Sequence, residues 1–179
     1  MKQNKGFTLI ELIIVIALTA GLLGVGVALI ANIYETVNKA RAETEVRQNL
    51  QYVFDTMARE IRKAKYIKVE TSGTNNILSL YNDSSCQNDT SSVVFTINTG
   101  TPSTLNITKN SIITTITSNK VDILSLKLTD FSPSVTLGSC QTTNSFLITI
   151  TAKYNTSVNR PDFTTQNVIM SERVALRKY

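Results

Sequence analysis

The stretch that decides the fold spans residues 5–31 and reads KGFTLIELIIVIALTAGLLGVGVALIA. Beyond Glu11 it carries no charged side chain from Leu12 to Ala31. An α-helix rises about 1.5 Å per residue, so a run of about 20 apolar residues spans the roughly 30 Å of a bilayer's hydrocarbon core. The sequence therefore predicts a transmembrane helix, which we assign to residues 7–31.

Two lysines indicate how this helix is oriented. Lys2 and Lys5 precede the apolar run, and basic residues beside a span tend to stay in the cytoplasm. The residues after Asn32 are therefore expected on the other side of the membrane. A cleaved secretory signal is the competing interpretation, because Gly26-Val27-Ala28 has the small-x-small pattern of a cleavage site, although the apolar core of such signals usually has about 7–15 residues.

Glu11 is the one charged residue within residues 7–31. A carboxylate at the centre of a bilayer costs about 2.5–3.5 kcal/mol, less near its edge, and by default marks a function with a partner. Glu11 either lies at the cytoplasmic boundary and reaches headgroup water, or it meets an opposite charge within the membrane.

The setting of Glu11 reads Lys5-Gly6-Phe7-Thr8-Leu9-Ile10-Glu11-Leu12. This string closely resembles the prepilin processing motif of type IV pilins, type II secretion pseudopilins and competence pilins. In that family a membrane aspartyl peptidase cuts after the glycine and methylates the new N-terminal residue. The resemblance implies that residues 1–6 are a leader peptide, that cleavage separates Gly6 from Phe7, that Phe7 is N-methylated and that Glu11 serves subunit assembly.

Cleavage after Gly6 would create a positively charged partner for Glu11. Cutting the chain creates an ammonium group at Phe7 within apolar surroundings. The Glu11 carboxylate of an adjacent subunit could neutralise that ammonium group, in a medium where a paired charge is tolerable and an unpaired one is expensive. Assembly is then favoured over the isolated subunit.

Small residues recur every four positions within the span, at Ala20, Gly24 and Ala28. Such a stripe lets transmembrane helices approach closely, so we predict that it packs against other helices. A generic membrane helix that tolerates glycine is the equally open alternative. Many members of the resembled family carry a proline where Ala28 stands. Here Gly21, Gly24 and Gly26 are the local weak points instead, so the sequence leaves local melting of this helix on assembly open.

After the apolar run, the spacing of the apolar side chains changes once along the chain. Residues 32–68 lack Pro and Gly and repeat apolar side chains three or four apart, which predicts an amphipathic helix outside the membrane. Residues 69–179 alternate apolar and polar side chains in short runs separated by turn residues, which predicts a β-rich head of about seven strands. The predicted strands are 77–81, 93–97, 105–107, 112–116, 121–128, 146–154 and 168–177. The predicted class is α+β, with the extramembrane half of one long N-terminal helix packed on a mostly antiparallel sheet.

Four further segments narrow the resemblance, namely 49–61, 118–128, 145–152 and 174–177. Together they look like J-type minor pseudopilins and related minor pilins. A major pilin is less favoured, because the chain has no cysteine near its C-terminus.

Cys86 and Cys140 are the two cysteines of the chain. Their spacing fits neither a metal site nor a redox pair. In an exported head they predict a structural disulfide, with two unpaired thiols as the alternative.

Composition argues against an enzyme. The chain has no His and no Trp, which removes His-based acid–base chemistry and Ser-His or Cys-His nucleophile pairs. Scattered carboxylates such as Asp122, Asp130 and Asp162 form no recognisable constellation. A net charge of +5 is too small to argue for nucleic acid on its own. We therefore predict no catalytic residues, no metal ligands and no cofactor, and nucleic acid is an unlikely partner.

The sequence thus predicts a structural and assembly-priming minor subunit of a type IV pilus-like or type II secretion filament. The resemblance implies four partners: prepilin peptidase, other pilin or pseudopilin subunits, an inner-membrane assembly platform and membrane lipid. The expected location is the bacterial inner membrane, with the N-terminus in the cytoplasm and the head outside, and then the filament. The alternative is a signal-anchored extracytoplasmic module that binds a ligand or DNA.

Overall fold

A computed structural model describes residues 8–73, 75–86, 92–132, 134, 136–142, 145–155 and 167–176. The chain divides into two compact units, residues 1–41 and residues 42–179. The first helix, α1 (Leu9–Ile61), contributes to both units. In the first unit its side chains are almost all exposed, whereas in the second unit one of its faces is buried.

The described part of the second unit contains nine strands in two antiparallel sheets. The six-stranded sheet has the order β5-β4-β3-β2-β1-β7, and the three-stranded sheet has the order β6-β8-β9. The strands are β1 (Tyr66–Ser72), β2 (Asn75–Tyr81), β3 (Val93–Asn98), β4 (Thr104–Lys109), β5 (Ile112–Thr115), β6 (Val121–Ser132), β7 (Cys140–Gln141), β8 (Ser145–Tyr154) and β9 (Val168–Ala175). One long helix with antiparallel sheets confirms the α+β prediction.

One face of the helix and the inner faces of both sheets form a single core. The helix contributes Val46, Leu50, Val53, Phe54, Met57, Ala58 and Ile61, spaced three or four residues apart. Phe95 of the first sheet and Phe146 of the second are fully buried in the same cluster. The amphipathic period therefore buries the helix on the head, because apolar side chains at this spacing share one helical face.

The helix ends earlier than its sequence predicts. The sequence predicts helix through residue 68, but α1 stops at Ile61 and Tyr66–Ser72 forms β1, so the predicted helix end is wrong. Ile67 and Val69 are fully buried while Lys68 between them is not. This alternation suits a strand, and seven residue pairs with β2 stabilise it.

Two asparagines join the sheets. The backbone N–H groups of Leu126 and Leu128 on β6 donate to the side-chain oxygens of Asn75 (3.2 Å) and Asn76 (2.9 Å) on β2. The edge of β6 that does not pair with β8 is thus occupied by side chains of the neighbouring sheet. Sequence periodicity could not reveal this division into two sheets.

A short strap that includes β7 lies along the outer edge of β1. Lys68 pairs with Cys140 and Ile67 with Gln141, and the N–H of Gly138 donates to the Val69 carbonyl at 2.8 Å. The structure joins Cys140 to Cys86, with the two Cα atoms 5.7 Å apart. The disulfide therefore ties the strap to the loop that follows β2.

Removing this disulfide should destabilise the head. Because the two cysteines are 54 residues apart, loop-closure entropy predicts that Cys86→Ser/Cys140→Ser lowers the free energy of unfolding by about 4 kcal/mol. Denaturant unfolding of the purified protein measures the change. A reducing agent should destabilise the wild type by a similar amount and leave the double variant unaffected. Two reactive thiols on non-reduced wild-type protein would contradict the pairing.

Candidate assembly site

The helix begins with a side-chain cap. The Thr8 hydroxyl accepts a 3.4 Å hydrogen bond from the backbone N–H of Glu11, and the Thr8 carbonyl accepts one from Leu12 at 3.2 Å. Thr8-Leu9-Ile10-Glu11 has the spacing of a capping box, in which a threonine cap is followed three residues later by glutamate. Glu11 also lies in the first turn, where the helix dipole favours a negative charge.

Sequence reasoning missed this role of Thr8, although the Thr-x-x-Glu spacing could have revealed it. The consequence concerns Glu11. Its side chain can support the helix start within its own chain as well as meet a charge on another chain. A test of assembly must separate the two roles.

Of the three residues to which the resemblance gives a role, Gly6, Phe7 and Glu11, the structure describes Glu11. Gly6 and Phe7, the predicted cleavage and methylation residues, lie outside the described residues. Glu11 itself is exposed on a helix whose neighbouring side chains are apolar. Across the described residues, no Lys or Arg forms an ion pair with it.

The apolar part of α1 is long enough and apolar enough to cross a membrane. Its most apolar 18-residue window has a mean hydropathy of 2.7 and no buried residue. Exposure of the large apolar side chains ranges from 76% at Leu9 to 40% at Val37. Between Leu12 and Ala31 the one polar side chain, Thr19, donates its hydroxyl to the helix's own carbonyls at Val15 and Ile16 (2.8 and 3.0 Å). This surface therefore suits lipid or other apolar helices.

The small residues Ala20, Gly24 and Ala28 lie on one face of α1, since they are four residues apart. A Cβ atom added at Gly24 would meet no atom of the chain within 4 Å. Nothing within the described chain therefore requires glycine at this position. The helix runs unbroken through all three residues.

Two of the three carboxylates considered for an enzyme have structural partners. Asp122 accepts a 2.9 Å hydrogen bond from the backbone N–H of Ser103 and lies 3.5 Å from Lys153. Asp130, near the other end of β6, pairs with Arg173, and Asp162 lies outside the described residues. Within the described part of the chain, no group of three or more His, Cys, Asp or Glu could hold a metal ion.

Ion pairs and one amide join the part of α1 in the second unit to the β5–β6 loop and to β4. Glu45 lies 3.0 Å from Lys120, and the Asn49 side-chain oxygen accepts the backbone N–H of Ser118 at 3.1 Å. Glu60 lies between Lys63 (2.9 Å) and Lys109 (3.4 Å). Burial raises the pKa of Glu60, but the hydrogen bonds and charges of the two lysines outweigh burial, so the net shift is downward.

Two lysines that follow α1 also form ion pairs with glutamates. Lys63 pairs with Glu60, and Lys68 pairs with Glu70 at 2.7 Å. The hydrogen bond that Lys68 donates to the Glu70 carboxylate raises the pKa of Lys68. A cleft beside Glu60 and Lys109 has a volume of about 110 Å³, well below the roughly 300–1,000 Å³ of typical small-molecule sites. These features suit a structural role for the helix end.

Comparison with known proteins bears on the N-terminal segment. Residues 1–31 match the family model described as Prokaryotic N-terminal methylation motif. The comparisons with curated proteins and with solved structures gave no match. The matched segment includes Gly6, Phe7, the capped helix start at Thr8 and Glu11. The matched motif is the signal of type IV pilins and pseudopilins, and it implies processing by a prepilin peptidase and assembly with other pilin subunits.

Proposed function

We propose that this chain is a minor pilin or pseudopilin that primes and joins a type IV pilus-like or type II secretion filament. The observation that carries the proposal is the methylation motif at residues 1–31. It coincides with a capped apolar helix that has one carboxylate, Glu11, in its first turn. The chain is processed between Gly6 and Phe7, and the new Phe7 amine is methylated.

The proposed chemistry of assembly belongs to residues of this chain. Hydrolysis of the Gly6–Phe7 peptide bond releases residues 1–6 and leaves an ammonium group on Phe7. The Glu11 carboxylate of a neighbouring subunit pairs with that ammonium group. Because an unpaired charge in lipid is unfavourable, the pair favours a subunit packed against its neighbours over an isolated one.

Further features of the helix support packing against other helices. The exposed apolar side chains of residues 9–37 find either lipid or other subunits as neighbours. The stripe Ala20, Gly24 and Ala28 allows close approach of a second helix. Lys2 and Lys5 favour an N-terminus in the cytoplasm and a head outside the inner membrane. The assembly platform in that membrane would receive the subunit.

The proposed minor role rests on the resemblance of segments in α1, β6, β8 and β9 to J-type subunits. The proposed division of the chain is a leader at 1–6, a membrane segment at 7–31, an extramembrane helix from 32 and a β-rich head. The disulfide between Cys86 and Cys140 suits export, because such bonds persist in oxidising compartments.

An intact-mass measurement on protein purified from its native membrane tests the proposal. The expected N-terminus is Phe7 carrying one methyl group. Deleting the gene for the prepilin peptidase in the same cells is the matched control and should restore residues 1–6. A wild-type chain that begins at Met1 would instead support a signal-anchored module. A start near Leu29 would indicate a cleaved secretory signal.

A further inference from the structure

β5 is the outermost strand of the six-stranded sheet and has a free edge. It pairs with β4 on one side, and no described strand pairs with its other side. A two-residue turn connects the two strands, with positive φ at both Asn110 (52°) and Ser111 (62°). Such a turn matches the natural twist of a hairpin and fixes its register. The free edge is therefore held in a defined conformation.

The register identifies which backbone groups point outward. The N–H of Ile116 donates to the Leu105 carbonyl at 2.9 Å, and hydrogen-bonded positions alternate along an antiparallel pair. Thr114 and Ile112, two and four residues earlier, therefore point their backbone groups toward β4. The N–H and C=O groups of Ile113 and Thr115 point toward the free edge.

The side chains of β5 are also unprotected. Ile112 and Ile113 are 68% and 67% exposed, on opposite faces of the sheet, and residues 110–119 include no charged residue. Proteins usually guard an exposed edge with charges, proline, a bulge or a cover.

The other edges of the two sheets carry such features. Asn75 and Asn76 occupy the edge of β6, Glu172 and Arg173 lie on β9, and β7 has two residues.

We infer that the free edge of β5 docks against β5 of a second copy of this chain, antiparallel, with the two Thr114 residues opposite each other. In this register Ile113 of each copy exchanges two backbone hydrogen bonds with Thr115 of the other. The outward groups of one strand are thus complementary to those of the same strand rotated by a two-fold axis. Each face of the sheet continues across the contact: Thr114 lies opposite Thr114 on one face, and Ile113 lies opposite Thr115 on the other.

Charge favours a second copy as the occupant. A neutral strand meets a neutral strand, so docking leaves no charge unpaired. The nearest lysines along the chain, Lys109 and Lys120, already have partners in Glu60 and Glu45. A charged edge such as β9, which carries Glu172 and Arg173, would place charged side chains against the neutral β5 strand.

The contact is small, and this determines where it forms. Four residues bury far less than the roughly 1,200 Å² of a stable free complex. Copies anchored in one membrane have a much higher effective concentration. The inference therefore rests on the part of the proposed function that anchors copies of this chain in one membrane.

Cysteine cross-linking of the full-length chain in its native membrane tests the inference. With Thr114 opposite Thr114, the two Cα atoms lie about 4.5 Å apart, within the range of a disulfide. Thr114→Cys should therefore give a covalent homodimer under mild oxidation. Ile112→Cys is the matched control on the same face: its two copies lie about 14 Å apart along the strands, so no dimer should form. Peptide mass spectrometry identifies the linked residues.

A second variant tests the nature of the contact. Adding Ile113→Lys to Thr114→Cys brings like charges together at the edge and should abolish the dimer. The inference is overturned if Thr114→Cys gives no dimer in folded, membrane-inserted protein, if both cysteine variants link equally, or if Thr114→Cys links to a different protein. The N-terminal mass is read from the same samples. A linked dimer with an unprocessed start would refute the proposed function and retain the inference.

Discussion

Replacing Gly6 with leucine should leave the chain unprocessed, with its N-terminus at Met1. Glycine gives the peptidase a flexible junction between the polar leader and the apolar helix. A branched side chain removes that flexibility and adds bulk next to the bond that is cut. We expect processing to fall below detection, as measured by intact mass of the membrane-bound protein. Because Phe7 then carries no free amine, the variant should also be absent from purified filaments.

Gly6→Ala is the matched control for this prediction. It adds one methyl group, so processing should be reduced less than in Gly6→Leu, and a time course of cleavage after induction would resolve the order. Both variants should insert into the membrane, since residues 12–31 are unchanged. Normal cleavage of Gly6→Leu would show that the peptide bond after Gly6 is not the processed bond.

Long segments with one clear period were predictable from the sequence. The apolar run 12–31 gives helix and membrane length together. The burial of Val46, Leu50 and Val53 follows from helical spacing. The alternation in 121–128 and 146–154 gives β6 and β8. In each case a local pattern and the packed structure require the same side chains to be buried.

Other features depend on residues distant in the chain. Tyr66-Ile67-Lys68-Val69 follows the helix without Pro or Gly, and it becomes a strand because β2 and β7 pair with it. β7 has only two residues, too few for any period. The two-sheet arrangement depends on the Asn75 and Asn76 bonds to β6, which no local pattern reveals. The free edge of β5 likewise follows from strand order.

The candidate site was predictable where chemistry is local. Glu11 is identified by one charge in an apolar run, and the structure adds Thr8 as its helix-capping neighbour. Gly6 and Phe7 remain predictions from the motif, because they lie outside the described residues. The counter-ion proposed for Glu11 is the Phe7 ammonium group of another molecule, so neither the sequence nor one chain can display the pair.

Glu11→Ala should leave cleavage and membrane insertion largely intact yet strongly reduce incorporation into filaments. Removing the carboxylate leaves the Phe7 ammonium group of a neighbouring subunit without its partner. Removing one member of a buried pair costs about 3–5 kcal/mol, because the remaining charge stays desolvated. A loss of this size would reduce incorporation at least about a hundredfold at equilibrium. The measurement compares the variant's abundance in purified filaments with its abundance in the membrane.

Glu11→Gln separates the charge from the helix cap. Glutamine, like glutamate, can occupy the third helical position after the threonine cap. The helix start at Thr8 should therefore remain formed, but glutamine carries no charge. If charge pairing drives assembly, Glu11→Gln should be excluded from filaments nearly as strongly as Glu11→Ala. If only the cap matters, Glu11→Gln should assemble normally and Glu11→Ala should show the modest defect expected from losing about 1 kcal/mol of helix stability. Normal incorporation of both variants would remove the support for the charge pair, since a membrane-embedded ammonium group would then tolerate the loss of its only proposed counter-ion.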